Sequence, residues 1–328
     1  MTGTFHILNE FVWPDAAPTA IYAEQLACAL AQKGKTVQLV GGRGRYREGN
    51  RPQPGVPLTL LGPDAPARGR LTDVLRGYFR TTGLFLRYIR SHVAPGDVVI
   101  ASSAPPLTPV LHRAIREKKA RSIYWMQDYY PEMLRSLIPF PALWVKPLSG
   151  LWDRELRKWD EVVKIARNLG GDIPRARIIR NWATLVFPPG PGAAAKDKTA
   201  LYTGNLGYAH DIEALVAACS QLHQDGYRVV FYADGPGVAR LPGWIEKYPP
   251  CRDEATLLRV LSDAPLHLLS AHPRFQGALF PSKFWNSHAS GARMIATGFS
   301  GKMRDEYNAA LETRPCDGLD QWLRWLDA

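Results

Sequence analysis

The feature that most constrains this chain is an alternation running through nearly all of it. Short β-branched or apolar runs, punctuated by glycine and proline, take turns with longer segments of helical periodicity. Parallel strands need a helical crossover between them, so this alternation is the pattern of βαβ construction. Runs near 4–8, 37–41, 97–101, 121–127, 162–166 and 177–180 read as strands of a first sheet. The first helix is expected over 19–33, with Tyr22, Leu26, Ala27 and Leu30 on one stripe and Gly34 as its stop. A second alternation gives strands at 200–204, 228–233, 265–269 and 293–297, with helices at 210–223, 253–263, 282–290, 301–311 and 317–327.

Between the two, residues 187–199 read FPPGPGAAAKDKT, where no apolar face can form. The expected fold class is therefore α/β, with two Rossmann-like doubly wound domains facing each other across a cleft. Residues 1–186 form the first domain, 187–199 the linker and 200–328 the second domain. A length of 328 residues, about twice a typical domain, suits that division. Ligands of doubly wound sheets sit beyond the carboxyl ends of the strands, which makes the cleft the default active site.

Charge separates the two parts. Residues 1–199 hold 29 Lys and Arg against 16 Asp and Glu, whereas 200–328 hold 12 against 14. The first part is expected to face something anionic, a nucleic acid or a membrane leaflet. Apolar content of 46% excludes wholesale disorder. Cysteines 28, 219, 251 and 316 show neither pairing nor metal-ligand spacing, which points to a reducing compartment. The opening MTGTFHILNE shows no secretory leader, and no apolar run reaches the roughly 18 residues of a spanning helix. A soluble or peripheral protein is expected.

Four segments carry candidate chemistry. The turn Tyr202-Thr203-Gly204-Asn205-Leu206-Gly207 follows a strand and precedes a helix that His210 or Asp211 would cap. Its glycines either let backbone amides approach a diphosphate or simply make a tight turn. Pro281-Ser282-Lys283, with Asn286 and Ala289-Ser290-Gly291 beyond, places a lysine in the first turn of a helix. A cation there opposes the helix dipole, and a local rule broken in this way often marks function. Gln127-Asp128-Tyr129-Tyr130-Pro131-Glu132 ends an aromatic strand in two carboxylates. Either one acts as a base or orients a hydroxyl, or Asp128 caps the next helix with Glu132 in its first turn. Residues 67–90 hold six arginines opposed only by Asp73, on a helix that packs on its own sheet or meets an anionic lipid surface. The segment 138–152, IPFPALWVKPLSGLW, reads as a proline-interrupted loop, interfacial or buried.

Several signatures are absent: a G-x-x-x-x-G-K-[ST] loop, a G-x-G-x-x-G fingerprint, a G-x-S-x-G elbow, any Cys/His cluster, and the D-x-D pair that holds a metal in single-domain nucleotide-sugar enzymes. No metal site is expected.

In order and spacing these residues resemble the retaining glycosyltransferases of family 4, with the two-domain GT-B fold, and among them the bacterial branch that builds cell-surface polysaccharides. The likeness runs from Ala23-Glu24-Gln25-Leu26-Ala27 and Gly34-Lys35-Thr36-Val37 through Ser103-Ala104-Pro105-Pro106 and the Asp128-x-x-Pro131-Glu132 signature. It continues through Arg177 to Trp182, the Tyr202 to Gly207 turn, Asp234-Gly235-Pro236-Gly237 and Pro281-Ser282-Lys283.

The resemblance implies transfer of a sugar from a nucleoside-diphosphate sugar, UDP-linked by preference, to a lipid-linked diphosphate-sugar or glycan acceptor, without a cofactor or metal. It implies work at the cytoplasmic face of an anionic membrane, with no nucleic acid partner. Gly204, Asn205, Gly207, Ser282, Lys283 and Asn286 are then expected at the donor, Lys283 as the catalytic cation, and Asp128 and Glu132 near the acceptor. Departures are also visible. Asn286, with Ala278 or Gln276, stands where the family carries glutamates, and Pro14-Asp15-Ala16-Ala17 replaces a glycine pair. Tyr208 or His210 replaces a basic residue, and the last helix is expected to be cut short. The missing carboxylates keep an altered or inactive homologue, an epimerase or a scaffold, in view. A basic nucleic-acid-binding protein is the rival from another class.

Overall fold

The computed structural model describes residues 3–42, 51–62, 71–137, 142–170, 173–188 and 198–327. Contacts group Met1–Arg180 with Leu319–Ala328 as one compact unit and Asn181–Gly318 as another. The expected division ran at 187–199 and kept all later residues together; most of that linker, 189–197, lies outside the described residues.

In the first unit the chain runs β1 (Phe5–Asn9), α1 (Pro18–Gln32), β2 (Val37–Gly42), β3 (Leu58–Leu61), α2 (Leu71–His92), β4 (Val98–Ser102), α3 (His112–Glu117) and β5 (Arg121–Met126). It continues through α4 (Tyr130–Leu137), α5 (Ala142–Leu156), β6 (Glu161–Lys164) and β7 (Arg177–Ile178). All pairings are parallel, in the order β3-β2-β1-β4-β5-β6-β7. Every residue of β1 and β4 is buried, as expected of central parallel strands covered on both faces. The stripe of α1 holds as read: Tyr22, Leu26, Ala27 and Leu30 are all buried.

The second unit repeats the plan with β8 (Thr199–Asn205), α6 (Ile212–Gln224), β9 (Arg228–Asp234), β10 (Glu246–Tyr248), α7 (Glu254–Asp263), β11 (Leu266–Ser270), α8 (Lys283–Ala289), β12 (Arg293–Thr297) and α9 (Gly301–Leu311). Its parallel sheet is ordered β10-β9-β8-β11-β12. Asp211 caps α6, its carboxylate accepting from the Ala214 N–H at 3.0 Å. The α/β class expected from the sequence is thus the one found.

One expectation is corrected. The segment around 138–152 is not a loop where it is described: α5 continues through Pro147 to Leu156. An interior proline removes one helical hydrogen bond and costs about 3 kcal/mol. Side-chain ties offset it, since the Tyr129 hydroxyl donates to Asp153 at 2.8 Å and Leu156 is fully buried. α10 (Asp317–Asp327) joins the first unit, with Trp322 edge-on to Trp125 at 5.1 Å, Trp325 beneath the Arg177 guanidinium at 4.8 Å, and Asp327 paired with Lys35 at 2.9 Å.

Helix α2 divides along its length. Its C-terminal half packs inward through Phe85, Tyr88 and Ile89, whereas Leu75 and Phe79, one turn apart, are 46% and 67% exposed beside Arg76. Residues 63–70, with Arg68 and Arg70, lie outside the described residues. Among those described, no helix is long and apolar enough to cross a membrane.

Candidate functional site

In the second unit the candidate residues converge where β8 ends. The Tyr202 ring is fully buried and stacks on Phe231 at 4.9 Å, so the strand's core packing fixes where its hydroxyl emerges. That hydroxyl donates to the Asn205 carbonyl at 3.0 Å and accepts from Lys283 Nζ at 2.7 Å. The ammonium also lies 4.0 Å from the Tyr202 ring centroid, within cation–π range. Gly204 turns with φ +100°, a conformation that side chains disfavour, and a β-carbon built there would point at Lys283 Nζ, 3.7 Å away. Lys283 is half-buried, and burial lowers its pKa from 10.5 to about 7.

His210 closes the turn. Burial first, and the Lys283 charge second, lower its pKa to about 4, so the imidazole is neutral at pH 7. Its Nδ1 accepts from the Gly207 N–H at 3.1 Å. The Asp234 turn braces the other side: Leu206 N–H donates to the Asp234 carbonyl at 2.7 Å, and Gly237 N–H to the Leu206 carbonyl at 2.9 Å. A β-carbon at Gly235 would come 2.3 Å from the Asn205 amide oxygen, so only glycine fits there. Asn205 itself is exposed.

Ser282 precedes α8 in helical geometry and makes no capping hydrogen bond. Asn286 is engaged elsewhere. Its Oδ1 accepts from the Thr184 and Leu185 N–H groups at 2.8 and 3.2 Å, and its Nδ2 donates to Thr184 Oγ1 at 3.0 Å. This amide ties the chain around Thr184 to α8.

Sequence reasoning passed over Tyr202 as more than part of a turn, and it missed Arg274. The Arg274 guanidinium reaches the Tyr208 carbonyl at 3.3 Å, and His272 N–H donates to the Ala209 carbonyl at 2.8 Å. A cation thus flanks the turn from a distant segment, a placement with no local signal. A separate hollow of about 470 Å³ opens beside α7 between Tyr232, Tyr248, Arg228 and Arg259; no candidate residue lines it.

In the first unit Asp128 lies just beyond β5. Ser103 Oγ accepts from the N–H groups of Gln127 and Asp128 at 3.1 and 3.0 Å, joining the turns that follow β4 and β5. Burial raises the Asp128 carboxyl from 3.8 to about 7. The Tyr130 hydroxyl is pushed well above its ordinary value by burial, then by the charges of Asp128, Tyr78 and Glu10. Glu10, buried at the end of β1, was another residue not singled out from sequence. Glu132 occupies the first turn of α4 and pairs with Arg135 at 2.9 Å.

No family model matches the sequence, and no curated protein is significantly similar to it. Solved structures do share its fold. A sucrose-phosphate synthase from Thermosynechococcus elongatus superposes with a TM-score of 0.65 at 16% identity, over 90% of this chain and 81% of that one. The catalytic domain of starch synthase IV from Arabidopsis thaliana, bound to ADP and acarbose, gives 0.61 at 12% identity over 98% and 92%. The lipopolysaccharide outer core galactosyltransferase WaaB gives 0.56 at 10% identity over 89% and 80%. The chain has the fold of these transferases, the GT-B class.

Proposed function

We propose that this chain is a glycosyltransferase that takes a sugar from a nucleoside-diphosphate sugar. One observation carries the reading: the Lys283 ammonium is fastened by a buried hydroxyl beside the positive-φ Gly204 turn at the carboxyl end of a parallel sheet, where such folds receive their ligands. The shared fold supports it.

In the proposed reaction the bond between the sugar's anomeric carbon and the β-phosphate oxygen breaks, and charge develops on the departing diphosphate. Lys283 meets that charge, and the resemblance implies that the sugar's configuration is retained. One well-placed donor is worth roughly 100- to 1000-fold in rate. Arg274 adds a second cation beside the turn. The reading needs no metal, in keeping with the missing D-x-D pair. Asp128, with a pKa of about 7, is placed at the acceptor hydroxyl, where a carboxyl can accept a hydrogen bond or a proton near neutral pH.

The acceptor is proposed to be a lipid-linked or saccharide acceptor of surface-polysaccharide synthesis, reached from an anionic membrane at its cytoplasmic face. The exposed Leu75 and Phe79 beside Arg76, on the more basic unit, support that part. The experiment for the core reading is nucleotide release: with UDP-, GDP-, dTDP- and ADP-sugars offered in turn, free nucleoside diphosphate is expected from one donor only when acceptor lipid extract is present. Release from none contradicts the reading. For the membrane part, co-sedimentation with phosphatidylglycerol vesicles is expected, and Phe79→Glu is expected to weaken it.

A further inference from the structure

We propose that Tyr202 is the positioning residue for Lys283: its hydroxyl, itself fixed by the Asn205 carbonyl, holds the ammonium over the Gly204 turn where the donor's diphosphate arrives. The inference rests on the donor-site reading above and assigns a residue within it.

Three observations support the role. The directions of the hydrogen bonds leave no choice, because a phenol has one hydrogen and here it goes to the Asn205 carbonyl at 3.0 Å. Toward Lys283 the oxygen therefore acts as acceptor, at 2.7 Å. The ring cannot swing away, since it is fully buried, stacked on Phe231 and edge-on to His210 at 6.1 Å. Phenylalanine would fill the same core position, so what tyrosine adds is the hydroxyl, and a buried hydroxyl destabilises a core unless it is bonded. Both of its bonds here are spent on the turn and the lysine.

A free lysine side chain samples many rotamers and loses that freedom when ordered. Lys283 makes this one hydrogen bond among the described residues, so the hydroxyl orders it before any ligand binds. The titratable groups that face it are Tyr202 itself and His210, and the latter is neutral at pH 7. Lys283 thus has no competing carboxylate partner among the described contacts, and an incoming diphosphate meets a side chain already aimed, whose protonated form it favours.

The test is Tyr202→Phe, with a readout that packing alone would not move. The pH dependence of Lys283 acetylation by acetic anhydride, followed by mass spectrometry, gives the midpoint of its titration. Loss of an acceptor for the ammonium, with burial unchanged, is expected to lower that midpoint by about one pH unit. The affinity for whichever of UDP, GDP, dTDP or ADP binds the wild type is expected to weaken by about tenfold. A folded Tyr202→Phe protein with the wild-type midpoint and affinity overturns the inference. If the wild type binds none of the four nucleotides while the midpoint still moves, the positioning stands and the donor reading falls. Should Tyr202→Phe not fold, incorporation of 3-fluorotyrosine keeps the ring and weakens the acceptor, and a midpoint left unmoved there overturns the inference equally.

Discussion

In the second unit an ammonium, Lys283, stands at the end of β8 with its pKa brought down from 10.5 to about 7; in the first unit a carboxyl, Asp128, stands at the end of β5 with its pKa brought up from 3.8 to about 7. Burial does both, because it disfavours whichever form carries charge. The supports differ. Lys283 is held through its own side chain by the Tyr202 hydroxyl, whereas around Asp128 it is the main chain that is held, by Ser103, and the carboxyl makes no hydrogen bond among the described residues. The contrast teaches a division of labour: a cation fixed in advance suits a charge that always develops at one place, and an unfastened carboxyl suits a proton that must come and go.

The comparison is broken most severely through Lys283. Lys283→Ala is expected to lower the transfer rate by about 100- to 1000-fold with the circular dichroism spectrum unchanged; wild-type turnover would remove the lysine from the chemistry. Asp128→Asn is expected to lower kcat by about 100-fold while leaving the donor KM within about twofold. An equal rise in donor KM for both variants would erase the distinction between the two units.

Asn286→Ala sharpens the comparison from the side of structure. It leaves the Thr184 and Leu185 N–H groups without their acceptor, and a loss of about 1–3 kcal/mol is expected in urea unfolding with donor KM unchanged. A large KM effect in a folded Asn286→Ala protein would return that amide to the donor site.

The smallest expected effect is on pH-dependent stability, and the two groups give opposite signs. Asp128 binds its proton more tightly in the folded state, so its contribution is fully present below about pH 4 and is lost as pH rises through about 7. Lys283 holds its proton less tightly when folded, so its contribution is present above about pH 10.5 and is lost as pH falls through about 7. Hence Asp128→Asn should raise Tm by a few degrees at pH 8 and by nothing at pH 4, and Lys283→Met should raise it by a few degrees at pH 6 and lose the advantage toward pH 10. Differences in Tm that do not change with pH would show that neither group is perturbed.

Central strands such as β1, β4 and β11 were legible because each is a mostly apolar run in which every residue is buried. Of the edge strands, β7 and β12 were legible and β3 and β10 were not. β3 is only four residues long and half-buried throughout, and β10, Glu246–Tyr248, carries two charged residues in three, so neither gives the long buried run of a central strand. Helix α5 was hidden by Pro147, whose cost is offset in part by the tie from Asp153 to Tyr129, 24 positions before it. The candidate site divides the same way. Its turn glycines and Lys283 stood out through local rules that they break, but the contact that joins them spans 81 residues and the one that occupies Asn286 spans 102. Nothing in either short segment announces its partner.

The central claim is that Lys283 meets the donor's diphosphate, and titration calorimetry of UDP, GDP, dTDP and ADP in two buffers of different ionisation enthalpy tests it most directly. Near pH 7 the lysine is about half protonated, so binding that demands its charge should take up about half a proton more in the wild type than in Lys283→Met, together with a loss of affinity in the variant. Equal proton counts and equal affinities in the two proteins, or no binding of any of the four by the wild type, would contradict it.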